Sequence, residues 1–173
     1  MPKISGLALG EIKKISGLGI GAIKKVSGLG LGLIWQDAVQ VGMYKNGNFD
    51  VTTTQQDVPS WTAQDVNSTV SGNALVIPSA GNWTLATSII HDGTGFTTAG
   101  WVQLWIFRNG AQVVAGPQQS VSRPSTGNVY SLSSGSPVAC AQGDTITVQC
   151  DANALNAVDI IGGTSSWVRA TPT

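Results

Sequence analysis

The chain has 173 residues, 22 of them glycine, with charged residues at only 10% and nine basic against nine acidic side chains. That length suits one domain with a proper core, and the weak charge, with no long acidic or basic run, describes a soluble, turn-rich chain of the all-β kind. One histidine and two cysteines without C-x2-C spacing exclude an ordinary zinc site.

The chain opens on one eleven-residue phrase given three times, Ile4 to Lys14, Ile15 to Lys25 and Val26 to Gln36. Apolar residues fall at the first, fourth, sixth and ninth positions of each copy. They are Ile4, Leu7, Leu9 and Ile12, then Ile15, Leu18, Ile20 and Ile23, then Val26, Leu29, Leu31 and Ile34, with Trp35 closing the series. A short repeat sets chemically identical groups at a fixed interval, which suits stacking along an axis and not an active site. A helix fits the spacing of the first and fourth positions, but each interior glycine costs about 1 kcal/mol there. Short strand, glycine turn, short strand is the better prediction. Such an arm has too little apolar surface to order itself, so these residues are candidates for docking onto another chain or a scaffold.

Residues 1–36 carry Lys3, Lys13, Lys14, Lys24 and Lys25 against Glu11, a charge of +4, which leaves −4 for residues 37–173. A basic arm and an acidic domain attract one another, or a shared partner, at low salt. The lysines interrupt any continuous apolar stretch, so neither a secretory signal nor a spanning helix is expected.

From Ala38 onward the pattern alternates. Val39, Val41 and Met43 share one face, and Asn46-Gly47 is a turn leading to Phe49, Val51 and Thr53. Residues 54–72 read as a long polar loop with one short strand. A strand at Leu75 to Ile77 ends at Pro78 to Gly81, and Trp83, Leu85 and Thr87 begin the next. Trp101 to Val114 is the strongest hairpin, turning at Asn109-Gly110, where both residues accept the positive φ of a type I′ turn. Its first strand has two apolar faces: Val102, Leu104 and Ile106 on one, Trp101, Trp105 and Phe107 on the other with Gln103 between. A strand exposed on one side would show a polar second face, so this one is expected to be covered on both, with the aromatics sealing a contact to a second chain. A Ser/Gly/Pro loop over 116–128 precedes strands at Val129 to Leu132, Val138 to Cys140, Thr145 to Cys150, Asp159 to Ile161 and Ser166 to Arg169. Eight or nine strands without a helix after residue 37 predict a sandwich or jelly roll.

No catalytic, cofactor-binding or metal-binding residue is expected. His91-Asp92-Gly93 reads as a loop turn, and Asp144, Asp151 and Asp159 lack the close alternate spacing of a calcium loop, which leaves them turn or strand-end duty. Gly17-Leu-Gly-Ile-Gly21 misses the dinucleotide-binding spacing, and the arm lysines have neither arginine nor interleaved aromatics to suggest nucleic acid. Asn67-Ser-Thr69 and Asn82-Trp-Thr84 match the glycosylation pattern at chance frequency. Cys140 and Cys150 flank a turn that carries them apart, so two buried free thiols are expected, in keeping with synthesis in a reducing cytoplasm.

Ile12-Lys-Lys-Ile15, Ile23-Lys-Lys-Val26 and Leu33-Ile-Trp35 resemble the short repeat near the ends of bacteriophage tail and fibre proteins, with Gly-Leu-Gly in place of the usual Tyr-Leu-Gly step. Ile77 to Leu85, Trp105 to Gly110 and Gln142 to Val148 are similar to segments of the C1q/TNF-like jelly rolls that end many phage minor tail proteins. The resemblance implies a homotrimer with aromatics at the subunit contacts. It also implies a virion location on tail or capsid, attachment to other virion proteins through residues 1–36, and a jelly roll over 37–173 facing a host glycan or protein. A capsid decoration or head fibre protein would use the same parts. A carbohydrate-binding jelly roll would stack sugars on exposed Trp61 or Trp83, and residues 4–35 also resemble cationic lytic peptides.

Overall fold

The structure, a computed structural model, describes residues 39–93, 100–121, 127–154 and 158–173, together with the backbone of six short strands nearer the N-terminus. The chain divides into two compact units, Met1–Ala38 and Val39–Thr173.

In the first unit the strands are β1 (Lys3–Ile4), β2 (Leu7–Ala8), β3 (Lys14–Ile15), β4 (Leu18–Gly19), β5 (Lys25–Val26) and β6 (Leu29–Gly30). They pair antiparallel as β1 with β2, β3 with β4 and β5 with β6. Ile4 faces Leu7, Ile15 faces Leu18 and Val26 faces Leu29, so the first and fourth positions of every repeat form the inner pair of a ladder. The sequence repeat is thus a repeat of β pairing, as the cost of its glycines in a helix requires. Three separate two-stranded ladders have little stability of their own in water.

The second unit is a sandwich of two antiparallel sheets, and its described residues contain no helix. Its strands run β7 (Val41–Lys45), β8 (Phe49–Val51), β9 (Gln56–Asp57), β10 (Trp61–Ala63), β11 (Thr69–Ser71), β12 (Ala74–Val76), β13 (Gly81–Asp92) and β14 (Gly100–Arg108). There follow β15 (Ala111–Ala115), β16 (Gln119–Val121), β17 (Asn128–Ser133), β18 (Val138–Cys140), β19 (Thr145–Ala152), β20 (Val158–Ile160) and β21 (Gly163–Pro172). The first sheet has the order β10-β7-β21-β13-β20-β8, with β17 and β18 also on β13. The second has the order β11-β12-β19-β14-β15, with β16 also on β14 and β9 on β19.

Alternation sorts side chains between the sheets. Trp83, Leu85 and Ile89 of β13, Val41 and Met43 of β7, and Val168 and Ala170 of β21 meet Val102, Leu104 and Ile106 of β14 and Ile146, Val148 and Cys150 of β19 in one core. Fully burying an aliphatic side chain stabilises by about 1.5–3 kcal/mol, so this two-sided layer is the main source of stability. Asn109 and Gly110 take φ of +50° and +77° between Arg108 and Ala111, which face each other across the expected two-residue turn.

Several expectations change. Residues 54–72 hold three short strands: β9 pairs with β19, β10 with β7 and β11 with β12. Buried Val58 and Trp61 anchor this stretch, the Trp61 indole donating to the Val58 carbonyl at 2.6 Å. Val39 precedes β7 and is 50% exposed, so the inward row is Val41, Met43 and Lys45. The expected turn at Asn46-Gly47 is present, with Gly47 at φ +72°, and the two strands it joins pair elsewhere, β7 with β10 and β21 and β8 with β20. The 116–128 stretch includes β16, paired to β14. His91 and Asp92 are no turn; they end β13, in register with Ile160 and Asp159.

Candidate functional site

The outer face of the second sheet is the surface that the sequence singles out. Trp101, Gln103, Trp105 and Phe107 stand on it in alternation with the inward Val102, Leu104 and Ile106. Trp105 is opposite Gln149 on β19 and Ala115 on β15 and is only 9% exposed, although it does not belong to the core between the sheets. Trp101 and Phe107, at either end of the row, remain partly exposed. The single chain therefore covers the middle of this face and leaves two aromatic flanks.

Polar side chains hold the row in place. Gln103 donates to the Gly116 carbonyl at 2.7 Å, and the Trp101 amide donates to Asn153 Oδ1 at 2.9 Å. Gln149 donates to Asp57 Oδ1 at 2.9 Å and accepts from Gln55 Nε2 at 2.8 Å. Asp151 lies opposite Gln103; its Oδ1 is buried without a hydrogen-bond partner, and burial pushes its carboxyl up from the ordinary value. The face thus presents an aromatic row held among hydrogen-bonded amides.

No family model matches the chain, and no curated protein matches it. Among solved structures it is similar to murine APRIL crystallised at pH 8.0, with 12% identity and a TM-score of 0.51 over 78% of this chain and 98% of that one. Murine APRIL at pH 8.5 gives 13% identity and a TM-score of 0.50 over the same shares of the two chains. The domain has the TNF-like jelly-roll fold. Eiger TNF from S. frugiperda is similar at 11% identity and a TM-score of 0.49, covering 78% of this chain and 92% of that one.

Within this TNF-like jelly roll, the other residues named from sequence are dispersed. Asp144 belongs to a turn, accepting from Asn109 Nδ2 at 2.7 Å and from the Ala141 amide at 2.9 Å. These bonds, with Arg108 at 3.9 Å, hold its carboxyl below the usual range. Asp159 lies on the first sheet, opposite Asp50 on β8 and Asp92 on β13. This row of three carboxylates joins strands far apart in sequence and had no local signal. Cys140 and Cys150 are free and buried, one on β18 in the first sheet and one on β19 in the second, and burial raises both thiols.

Trp61 and Trp83 are both buried, Trp83 completely. Neither offers a face on which a sugar could stack, which removes the residues proposed for a carbohydrate-binding role. Of the docking-arm residues, Ile4, Leu7, Ile15, Leu18, Val26 and Leu29 fall in the ladders. Leu9, Ile12, Ile20, Ile23, Leu31, Ile34 and Trp35 lie outside the described residues.

Proposed function

We propose that this chain is a non-enzymatic structural protein of a virus particle, a trimeric bacteriophage minor tail or fibre protein. Residues 1–36 dock it to other virion proteins, and the jelly roll projects toward the host surface. The observation that carries this reading is the β ladder recurring every eleven residues ahead of a TNF-like jelly roll. Ladders this short gain their order from copies of themselves or from a scaffold, which is the situation of an arm built into a particle.

Self-association uses the outer face of β14. Trp101 and Phe107 leave apolar surface around the nearly sealed Trp105, and aromatics of this kind form the buried centre of protein interfaces. Sedimentation equilibrium of the intact chain tests the assembly: a mass three times the 17.8 kDa of one chain is expected, and a monodisperse monomer would overturn it. A capsid decoration or head fibre protein is the same reading at another address on the particle.

A further inference from the structure

We propose that His91 is an acid trigger built into the first sheet: a proton taken up by its sealed and unpartnered ring opens the end of the sandwich where β13, β16, β17 and β20 meet. The proposal does not depend on the virion reading. His91 is the sole histidine of the sequence and is 1% exposed, and neither Nδ1 nor Nε2 has a hydrogen-bond partner. Its backbone is in register with Asn128 of β17 and with Ile160 of β20. Asn128 Nδ2 and Gln119 Oε1 are also buried without partners, while Gln119 Nε2 donates to the Val129 carbonyl at 3.2 Å and so ties β16 to β17. The Gln119 amide is near enough to favour a charged ring, yet falls short of hydrogen-bond geometry.

A neutral imidazole has one donor and one acceptor; protonation makes both nitrogens donors and adds a charge that the interior does not solvate. Among the described residues of β13, of its partners β17, β18, β20 and β21, and of β14 and β16, the ionisable groups are Asp92 beside it on β13, Tyr130 on β17, Asp159 on β20, and, farther along the sheets, Cys140 on β18, Arg169 on β21 and Arg108 at the far end of β14. Asp92 favours the proton, but burial outweighs it and holds the ring's pKa below the ordinary histidine value. The sign follows. With the folded value below the unfolded one, His91 leaves stability intact above about pH 6.5, and stability is lost as the pH falls below that value. Because β16 and β20 are three residues each, this end opens before the long central strands do.

The test is NMR on the intact chain from pH 7.5 to 5, reading the one histidine ring signal together with amide exchange corrected for its intrinsic pH dependence. The ring is expected to titrate with a midpoint below the ordinary histidine value. Protection at Ile89–Asp92, Asn128–Tyr130 and Val158–Ile160 should then fall by up to about tenfold per pH unit, while Val41–Met43 and Val168–Ala170 hold. His91→Gln should abolish that fall. An ordinary midpoint near 6.5 with protection retained, or the same fall in His91→Gln, would overturn the proposal. Should His91→Gln not fold, the ring titration of the unaltered chain decides alone.

Discussion

Asp159 on β20 faces Asp50 on β8 in direct register, and Asp92 on β13 continues the row from the other side. Burial, followed by the hydrogen bond and charge of Asp50 and the charge of Asp92, raises the Asp159 carboxyl above its ordinary value. A carboxyl whose folded pKa is raised favours the fold at low pH and loses that contribution as the pH rises through the raised value. Asp159→Asn is therefore expected to stabilise the domain at pH 7. As the group is partly exposed, the gain is at most about 1 kcal/mol, or about 2–4 °C in melting temperature. Thermal unfolding at pH 7 and pH 4 checks this; the gain should shrink at the lower pH.

Gly162 packs against the backbone of the Gly47 turn so closely that a Cβ would come within 2.6–2.7 Å of Gly47 N, C and O. Backbone cannot yield as a flexible side chain can. Gly162→Ala is expected to destabilise by about 1–3 kcal/mol, as overpacking does. Gly81→Ala, whose Cβ would meet Trp83 Nε1 at an ordinary 3.8 Å, should stay near neutral in the same denaturant titration.

The aromatics of the two faces should separate assembly from folding. Trp83 is wholly buried, so Trp83→Ala should cost the fold about 3–5 kcal/mol. Trp101 and Phe107 are only partly covered by their own chain, so Trp101→Ala and Phe107→Ala should leave the melting temperature near that of the unaltered protein. Each should weaken self-association by about 2 kcal/mol or more if it anchors the contact, a loss of about thirtyfold in affinity. Sedimentation velocity on the variants reads this directly, and an unchanged mass would move the interface elsewhere.

What was legible in the sequence was the part that alternates over enough residues to have a period. Ile146, Val148 and Cys150 point inward as read, and Asn109-Gly110 turns as read, because its positive φ values suit those two residues and few others. Where β9, β10 and β11 lie, the sequence shows one short strand and not three, because two or three residues carry no period. His91-Asp92 looked like a turn for want of the cross-strand neighbours, Asn128 and Ile160, that make it a strand end. The candidate residues follow the same rule. The face shared by Trp101, Trp105 and Phe107 lies on one strand and could be read locally, whereas the row of Asp50, Asp92 and Asp159 exists only once three strands have paired.

The proposed role of residues 1–36 is to fasten this jelly roll to a virus particle. The direct measurement is electron microscopy of particles assembled with labelled full-length chain or with a chain lacking residues 1–36. The expected result is label at the tail or capsid surface with the full chain and none with the truncated one, whose jelly roll remains folded. Unlabelled particles with the full-length chain, or equal labelling by the two, would contradict it.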